Sequence, residues 1–207
     1  MKHSFISLAL FALAFMLVSC GGDSDSSTGA PEGTEGSMTD SRDGLTYKTI
    51  VIGKQTWMAE NLNYDAENSL CPKGTSANCT KYGRLYTWPV AKTACPSGWH
   101  LPSRAEFVTL IEAVGGDDSA GTKLKSTSGW YKDGNGTDDY SFSVLPAGGK
   151  SGSGYYIFEG QNAYIWSSTD SDSYSAYYLY LGFDFGKALL SNDNAKDYWF
   201  SVRCVKD

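Results

Sequence analysis

Five cysteines, at positions 20, 71, 79, 95 and 204, constrain this chain more than any other feature. An odd set cannot be fully paired within one chain. Cys20 stands apart, because it follows an apolar run from Phe5 to Val18 and precedes a stretch, Gly21 to about Met38, that has no aromatic residue. Rich in Gly, Ser, Asp, Thr and Glu, that stretch cannot bury enough apolar surface to offset its ordering entropy and reads as a flexible tether. The fold is therefore expected in the remaining about 170 residues, enough for one domain with a proper core. Cys71, Cys79, Cys95 and Cys204 are an even set that allows three pairings in an oxidising compartment. The favoured pairing is Cys71–Cys79, which pins a short loop, with Cys95–Cys204, which ties the middle of the chain to its last strand. The second closes a loop of about 110 residues, worth roughly 4–5 kcal/mol in the chain-entropy picture. A zinc site is disfavoured, since there is no Cys-x-x-Cys pair and His100 is the only histidine beyond the apolar run.

The apolar run is shorter than the about 20 residues a bilayer span needs and fits the central region of a signal peptide, with Lys2 as its basic start. Leu17-Val18-Ser19-Cys20 resembles the bacterial lipobox. That resemblance implies removal of residues 1–19, lipidation of Cys20, a tether over 20–38 and a membrane-held domain over 39–207. A tether of this composition reaches roughly 25 Å. Gly21 follows the cysteine, and Asp23 and Asp25 come soon after, which points to the outer membrane, exposed at the cell surface. Losing Lys2 takes Lys+Arg from 17 to 16 against 23 Asp+Glu, a net charge of −7. Such a domain repels phosphate backbones, so nucleic acid is not an expected partner.

Along the domain, Thr46–Ile52 and 55–59 read as a hairpin around the two-residue loop Gly53-Lys54. Residues 83–88 read as a short strand stopped by Pro89. Ser103 and Glu106 form a capping box that starts a helix over 103–114, whose Phe107, Leu110, Ile111 and Val114 share one buried face. A second short helix is expected over 120–125. Short strands are expected at 140–145, 155–158, 163–167, 176–181 and 198–205, with Phe200, Val202 and Cys204 on one face of the last and Ser201 and Arg203 on the other. The plan is α+β, with one main helix and a loop-rich antiparallel second half.

Several segments recur together in one family. They include Gln55-Thr56-Trp57-Met58-Ala59-Glu60-Asn61-Leu62-Asn63-Tyr64, Tyr82-Gly83-Arg84-Leu85-Tyr86-Thr87-Trp88, Ala94-Cys95-Pro96-Ser97-Gly98-Trp99-His100-Leu101-Pro102-Ser103, Gly134-Asn135-Gly136-Thr137-Asp138-Asp139-Tyr140 and Phe200-Ser201-Val202-Arg203-Cys204-Val205. In this order they resemble the Fibrobacter succinogenes major paralogous domain, over nearly all of residues 40–207. The resemblance implies a secreted or lipid-anchored bacterial domain and carries no particular activity. Pro89-Val90-Ala91-Lys92 departs from the Ala-rich segment expected there. More distantly, Leu101-Pro102-Ser103, Glu106 and Arg203-Cys204-Val205 are similar to the C-type lectin-like and formylglycine-generating enzyme fold. That similarity implies a late cysteine paired back toward the helix, in agreement with Cys95–Cys204. It does not transfer catalysis, because fold is not function.

The residues offer little reaction chemistry. His100 lacks a nucleophile or metal partner in any motif and is read as structural. Ala147-Gly148-Gly149-Lys150-Ser151 fails as a phosphate loop because Val144 stands where the first glycine is required, and Ser153 spoils a nucleophile elbow. Glu60, Glu106 and Glu159 are unavoidable carboxylates in an acidic chain rather than a hydrolytic pair. Asp133, Asn135, Asp138 and Asp139 form the richest oxygen-ligand run and make calcium the one cofactor to test, against a plain series of Asp, Asn and Gly turns. Trp130, Tyr131, Tyr155, Tyr156, Trp166 and Tyr178 are the candidate ring faces for stacking on sugars. The resulting expectation is a non-catalytic binding or display module for extracellular polysaccharide. The alternatives are a structural envelope protein that binds other surface proteins, and a hydrolase or protein-modifying enzyme.

Overall fold

A computed structural model describes residues 33–207; the apolar run, Cys20 and most of the expected tether lie outside the described residues. The chain begins with antiparallel strands β1 (Thr34–Thr39), β2 (Thr46–Ile52) and β3 (Gln55–Met58). Strand β4 (Ser69–Leu70), helix α1 (Ser76–Tyr82), strand β5 (Leu85–Thr87) and helix α2 (Trp88–Ala94) follow, then β6 (Trp99–His100), α3 (Arg104–Ala113) and α4 (Asp117–Leu124). The second half holds β7 (Gly149–Lys150), β8 (Tyr156–Ile157), β9 (Asn162–Asp170), β10 (Ala176–Gly182), β11 (Leu189–Ser191), β12 (Trp199–Phe200) and β13 (Val205–Lys206). Among the described residues these make three antiparallel sheets, ordered β1-β2-β3-β13-β6, β11-β10-β9 and β4-β5-β12-β7-β8. The class is α+β, as expected.

The β2–β3 hairpin forms as the sequence predicts. Ile52 pairs with Gln55, and Gly53 takes the positive φ of 60° that the tight loop needs. Helix α3 carries the full capping box: the Glu106 amide donates to Ser103 Oγ at 3.2 Å, and Ser103 N donates to Glu106 Oε2 at 2.7 Å. Its Phe107, Leu110 and Ile111 are buried in a core shared with Trp57, Phe142, Ile165 and Leu179, and Trp57 stacks on Phe107 at 5.3 Å. A second core gathers Tyr86, Trp88, Trp166, Tyr178, Phe200 and Val202. Its indole N–H groups are satisfied by main chain, Trp166 Nε1 donating to Tyr86 O and Trp88 Nε1 to Ser167 O, each at 2.8 Å.

Five expectations change. Four α-helices stand among the described residues where one main and one short helix were expected, because α1 and α2, seven residues each, are too short to carry the apolar spacing that marks α3. The tether does not run to residue 38: Thr34–Thr39 is a strand paired with β2 from Thr34–Val51 to Thr39–Thr46. This strand has almost no apolar side chain to bury and is held by its backbone ladder, a contribution that an argument from side-chain composition omits. Its turn is anchored instead by Asp40, fully buried, whose carboxylate accepts from Arg42 Nε and Nη2; Arg42 Nη2 also donates to Ala94 O at 2.8 Å. Pro89 starts a helix rather than only stopping a strand, because it sits in the first turn of α2, where a missing N–H costs nothing. The 140–145 segment is not a strand. Tyr140, Phe142 and Val144 alternate inward, but Ser141 and Ser143 hold positive φ and the segment makes only an isolated bridge from Val144 to Lys125. The last strand is broken into β12 and β13, and Ser201 and Arg203 are as buried as their neighbours because both faces of the segment are covered.

Both favoured disulfides are formed, Cys71–Cys79 with Cα atoms 4.8 Å apart and Cys95–Cys204 with Cα atoms 5.9 Å apart. Their sequence separations are 8 and 109. Chain entropy alone then assigns about 2.5 kcal/mol to the first and about 5 kcal/mol to the second. The Cys95→Ala/Cys204→Ala pair is expected to lower the urea unfolding free energy more than Cys71→Ala/Cys79→Ala; equal losses in urea titrations would refute that ranking.

Candidate functional site

A cleft of about 820 Å³ opens between the β1–β2 hairpin, the end of α1 and the 141–145 loop, with the 59–63 segment and Arg203 beneath. Gly83 makes that arrangement possible. At φ 75° it lies so close to the 61–62 segment that a Cβ would meet Asn61 Cβ and Leu62 O at 2.8 Å. The Asn61 amide fastens the floor: Nδ2 donates to Tyr82 O at 2.8 Å and to Ser201 Oγ at 3.3 Å, while Oδ1 accepts from Arg203 Nε at 3.0 Å. Arg203 also donates through Nη1 to Phe142 O and through Nη2 to Ser143 O, and its guanidinium lies 4.5 Å from the centre of the Phe142 ring.

Burial governs the electrostatics of this floor. It pulls Arg203 down to about 9, against the opposing fields of Asp138 and Glu60. Burial also pushes the Tyr47 phenol up to about 12, although that oxygen accepts from Asn63 N at 3.1 Å. Asp138 is raised by burial, outweighing the hydrogen bonds it takes from Ser143 N and Oγ. On the rim, Glu35 Oε1 accepts from Ser141 Oγ at 2.9 Å and Glu60 Oε2 from Lys48 N at 2.7 Å. Hydroxyls, amides and charges surround two tyrosines and a leucine pair, a lining suited to holding a polar ligand.

The sequence-selected residues sit elsewhere. Trp130, Trp166 and Tyr178 are 5%, 0% and 3% exposed, so they are core side chains and not stacking surfaces. Each has its polar atom satisfied inside: Trp130 Nε1 by Ser126 Oγ and Val144 O, Trp166 Nε1 by Tyr86 O, Tyr178 OH by Asp193 and Asn194. Tyr131 is 49% exposed and packs edge-on against Phe183. Tyr155 and Tyr156 are 73% and 38% exposed on the β7–β8 hairpin, where Lys150 lies between the Tyr156 and Trp199 rings. The six rings therefore do not form one surface.

The Asp133, Asn135, Asp138 and Asp139 run does not converge on a cation. Asn135 Oδ1 caps Trp130 N at 3.0 Å, Asp138 turns onto Ser143, and positive φ at Lys132, Asp133 and Asp138 makes the run a series of tight turns. Among the described residues no group of three or more His, Cys, Asp and Glu side chains is placed to hold a metal. His100 bridges Asp207 through Nδ1 at 2.6 Å and Glu106 through Nε2 at 2.7 Å, and does not line the cleft.

Residues 50–206 match the Fibrobacter succinogenes major domain. The chain belongs to this family. No curated protein and no solved structure matches it. In this Fibrobacter succinogenes major domain the matched segment supplies the cleft floor, the end of α1, the 141–145 loop and Arg203, whereas β1, the 40–45 turn and residues 46–49 of β2 precede it. The cleft residues were not singled out by motif. The sequence signals for them were the family segments quoted above, which hold Ala59, Glu60, Asn61, Asn63, Tyr82, Gly83 and Arg203.

His100 supplies a pH signature. Burial opposes its charge, but the carboxylates of Asp207 and Glu106 prevail and raise it above the ordinary 6.5. A raised folded-state value means that the stabilisation is complete below pH 6.5 and is lost as pH rises through the folded value. The urea midpoint is expected to fall from pH 6 toward pH 9, and His100→Gln is expected to flatten that fall. An unchanged slope in the variant would assign the effect to another group.

Proposed function

We propose that this domain is a non-catalytic binding module of C-type-lectin-like design, lipid-anchored through Cys20 to the outer membrane, whose cleft recognises extracellular polysaccharide. The single observation that carries the reading is the cleft itself. Its volume of about 820 Å³ lies within the range of ligand sites, and its hydroxyl and amide groups match the donor and acceptor pattern of sugar hydroxyls. The lining has no histidine, and its one cysteine, Cys79, is tied in a disulfide. Its two glutamates already accept protein hydrogen bonds. Retention of a ligand is thus the role these groups support, rather than proton transfer or nucleophilic attack. The lectin-like design is supported by the Ser103–Glu106 helix start and by β13, which pairs with β3 and β6 beside the Cys95–Cys204 bond. The reading requires no cofactor.

The test is retention of the full chain, in detergent micelles, on a glycan array and on insoluble polysaccharides. At least one glycan is expected to retain it. Filling the cleft from its exposed rim with Thr46→Trp or Thr80→Trp is expected to reduce retention at least about ten-fold, equivalent to about 1.4 kcal/mol, while Tyr155→Ala leaves it unchanged. Loss in Tyr155→Ala with retention in both tryptophan variants would move the site to the β7–β8 hairpin. Recovery of a protein partner from envelope extracts, with no glycan retained, would replace this function with a structural one.

A further inference from the structure

We propose that the cleft selects acidic glycans, sugar chains that carry carboxylate or sulfate groups; this rests on the cleft being the glycan site. Three cations line it, Lys48, Lys81 and Arg203, and among the described residues none of them has a carboxylate within ion-pair distance. The two lining acids do not serve as their partners. Glu35 is bonded to the Ser141 hydroxyl, and Glu60 takes the main-chain N–H of Lys48 rather than its ammonium group.

Arg203 is the most telling of the three. Its guanidinium has five N–H groups, and the neutral acceptors Asn61 Oδ1, Phe142 O and Ser143 O take one each from Nε, Nη1 and Nη2. The planar fork is thereby fixed in orientation with no carboxylate in ion-pair contact; almost fully buried, it feels Asp138 and Glu60 only through their more distant fields. A buried charge of this kind, on the floor of the cleft it lines, favours an anion held above it through its field. Lys48 and Lys81 are exposed at the mouth, where they would meet further acidic groups along the same sugar chain. A sugar hydroxyl has its own destination: Asn63 Oδ1, beside the cleft, is the one buried side-chain polar atom without a hydrogen-bond partner among the described residues.

The surrounding charge separates acidic sugars from denser polyanions. With a net charge of −6 the whole chain repels a nucleic acid, which carries a phosphate charge about every 1.7 Å of duplex. An acidic glycan with about one charge per sugar can place a few anionic groups on local cations while its neutral hydroxyls face the rest of the lining.

The matched probes are trigalacturonate and its methyl ester, which differ in carboxylate charge and not in sugar skeleton, with a sulfated trisaccharide as a third arm. Calorimetric titration of the full chain in micelles is expected to show the acid or the sulfated sugar binding at least about ten-fold tighter than the ester, the gap narrowing as salt rises. The arm that binds identifies the anionic group. Lys48→Gln and Lys81→Gln, both at exposed positions, are each expected to cost about five-fold for the anionic sugar and nothing for a neutral one. These rim variants carry the test because replacing Arg203 would unfasten the floor. Equal affinity for acid and ester overturns acidic selection and leaves glycan binding standing, as does a neutral glycan retained when both anionic arms fail. Anionic binding untouched by both lysine variants overturns the assignment to this cleft. Failure of every glycan overturns both readings.

Discussion

The 199–206 segment touches all three sheets, and the rest of the fold depends on it. β12 pairs with β5 and β7; Ser201 exchanges main-chain bonds with Tyr164 and Trp166 of β9; β13 pairs with β3 and β6. Between these pairings, Met58 N donates to Cys204 O and Leu62 N to Val202 O. Alternate residues also point into different cores: Phe200, Val202 and Cys204 into the aromatic one, Val205 into the one beneath α3. Such a segment cannot form its contacts before its distant partners are in place, so cooperativity is built into the topology. The Cys95–Cys204 bond fixes this same segment covalently.

The cleft follows from that arrangement. Arg203 lies on the segment's second face, which in a half-buried strand would meet water, and here it is roofed by the 141–145 loop and Asn61. Positive φ at Ser141 and Ser143, together with Asp138 capping Ser143, lets that loop turn its carbonyl groups toward the guanidinium. A charged group at the junction of sheet, loop and α1 demands neutral acceptors on every side. The 141–145 loop and Asn61 close almost completely around it, leaving Arg203 1% exposed on the floor of the cleft.

How much the sequence disclosed varied with the physical origin of each feature. α3 was legible to its cap because Ser103, Glu106 and the 107–114 spacing are local signals with local causes. The disulfides were legible because setting Cys20 aside left few pairings. The alternation of Tyr140, Phe142 and Val144 disclosed burial correctly but not backbone, since turns held by side-chain bonds can produce the same inward rhythm as a strand. β1 was hidden because its stabilisation lies in a partner's backbone. Three of the six selected rings were misplaced for one reason: tryptophan and tyrosine serve equally as core fillers with an internal hydrogen bond and as exposed platforms. The cleft assembles residues from Glu35 to Arg203, a convergence that no local window contains.

The long disulfide has a further consequence outside the thermodynamics of folding. Residues 96–203 form a covalent ring closed through Cys95 and Cys204, and most of the exposed turns, including those near Asp133, Tyr155 and Tyr174, belong to it. A protease that cuts any one of these turns opens the ring without releasing a fragment. The two pieces remain joined through sulfur and through the segment woven into all three sheets. Single cleavage is thus separated from loss of the molecule, and the vulnerable loops are free to diversify in sequence without endangering the whole.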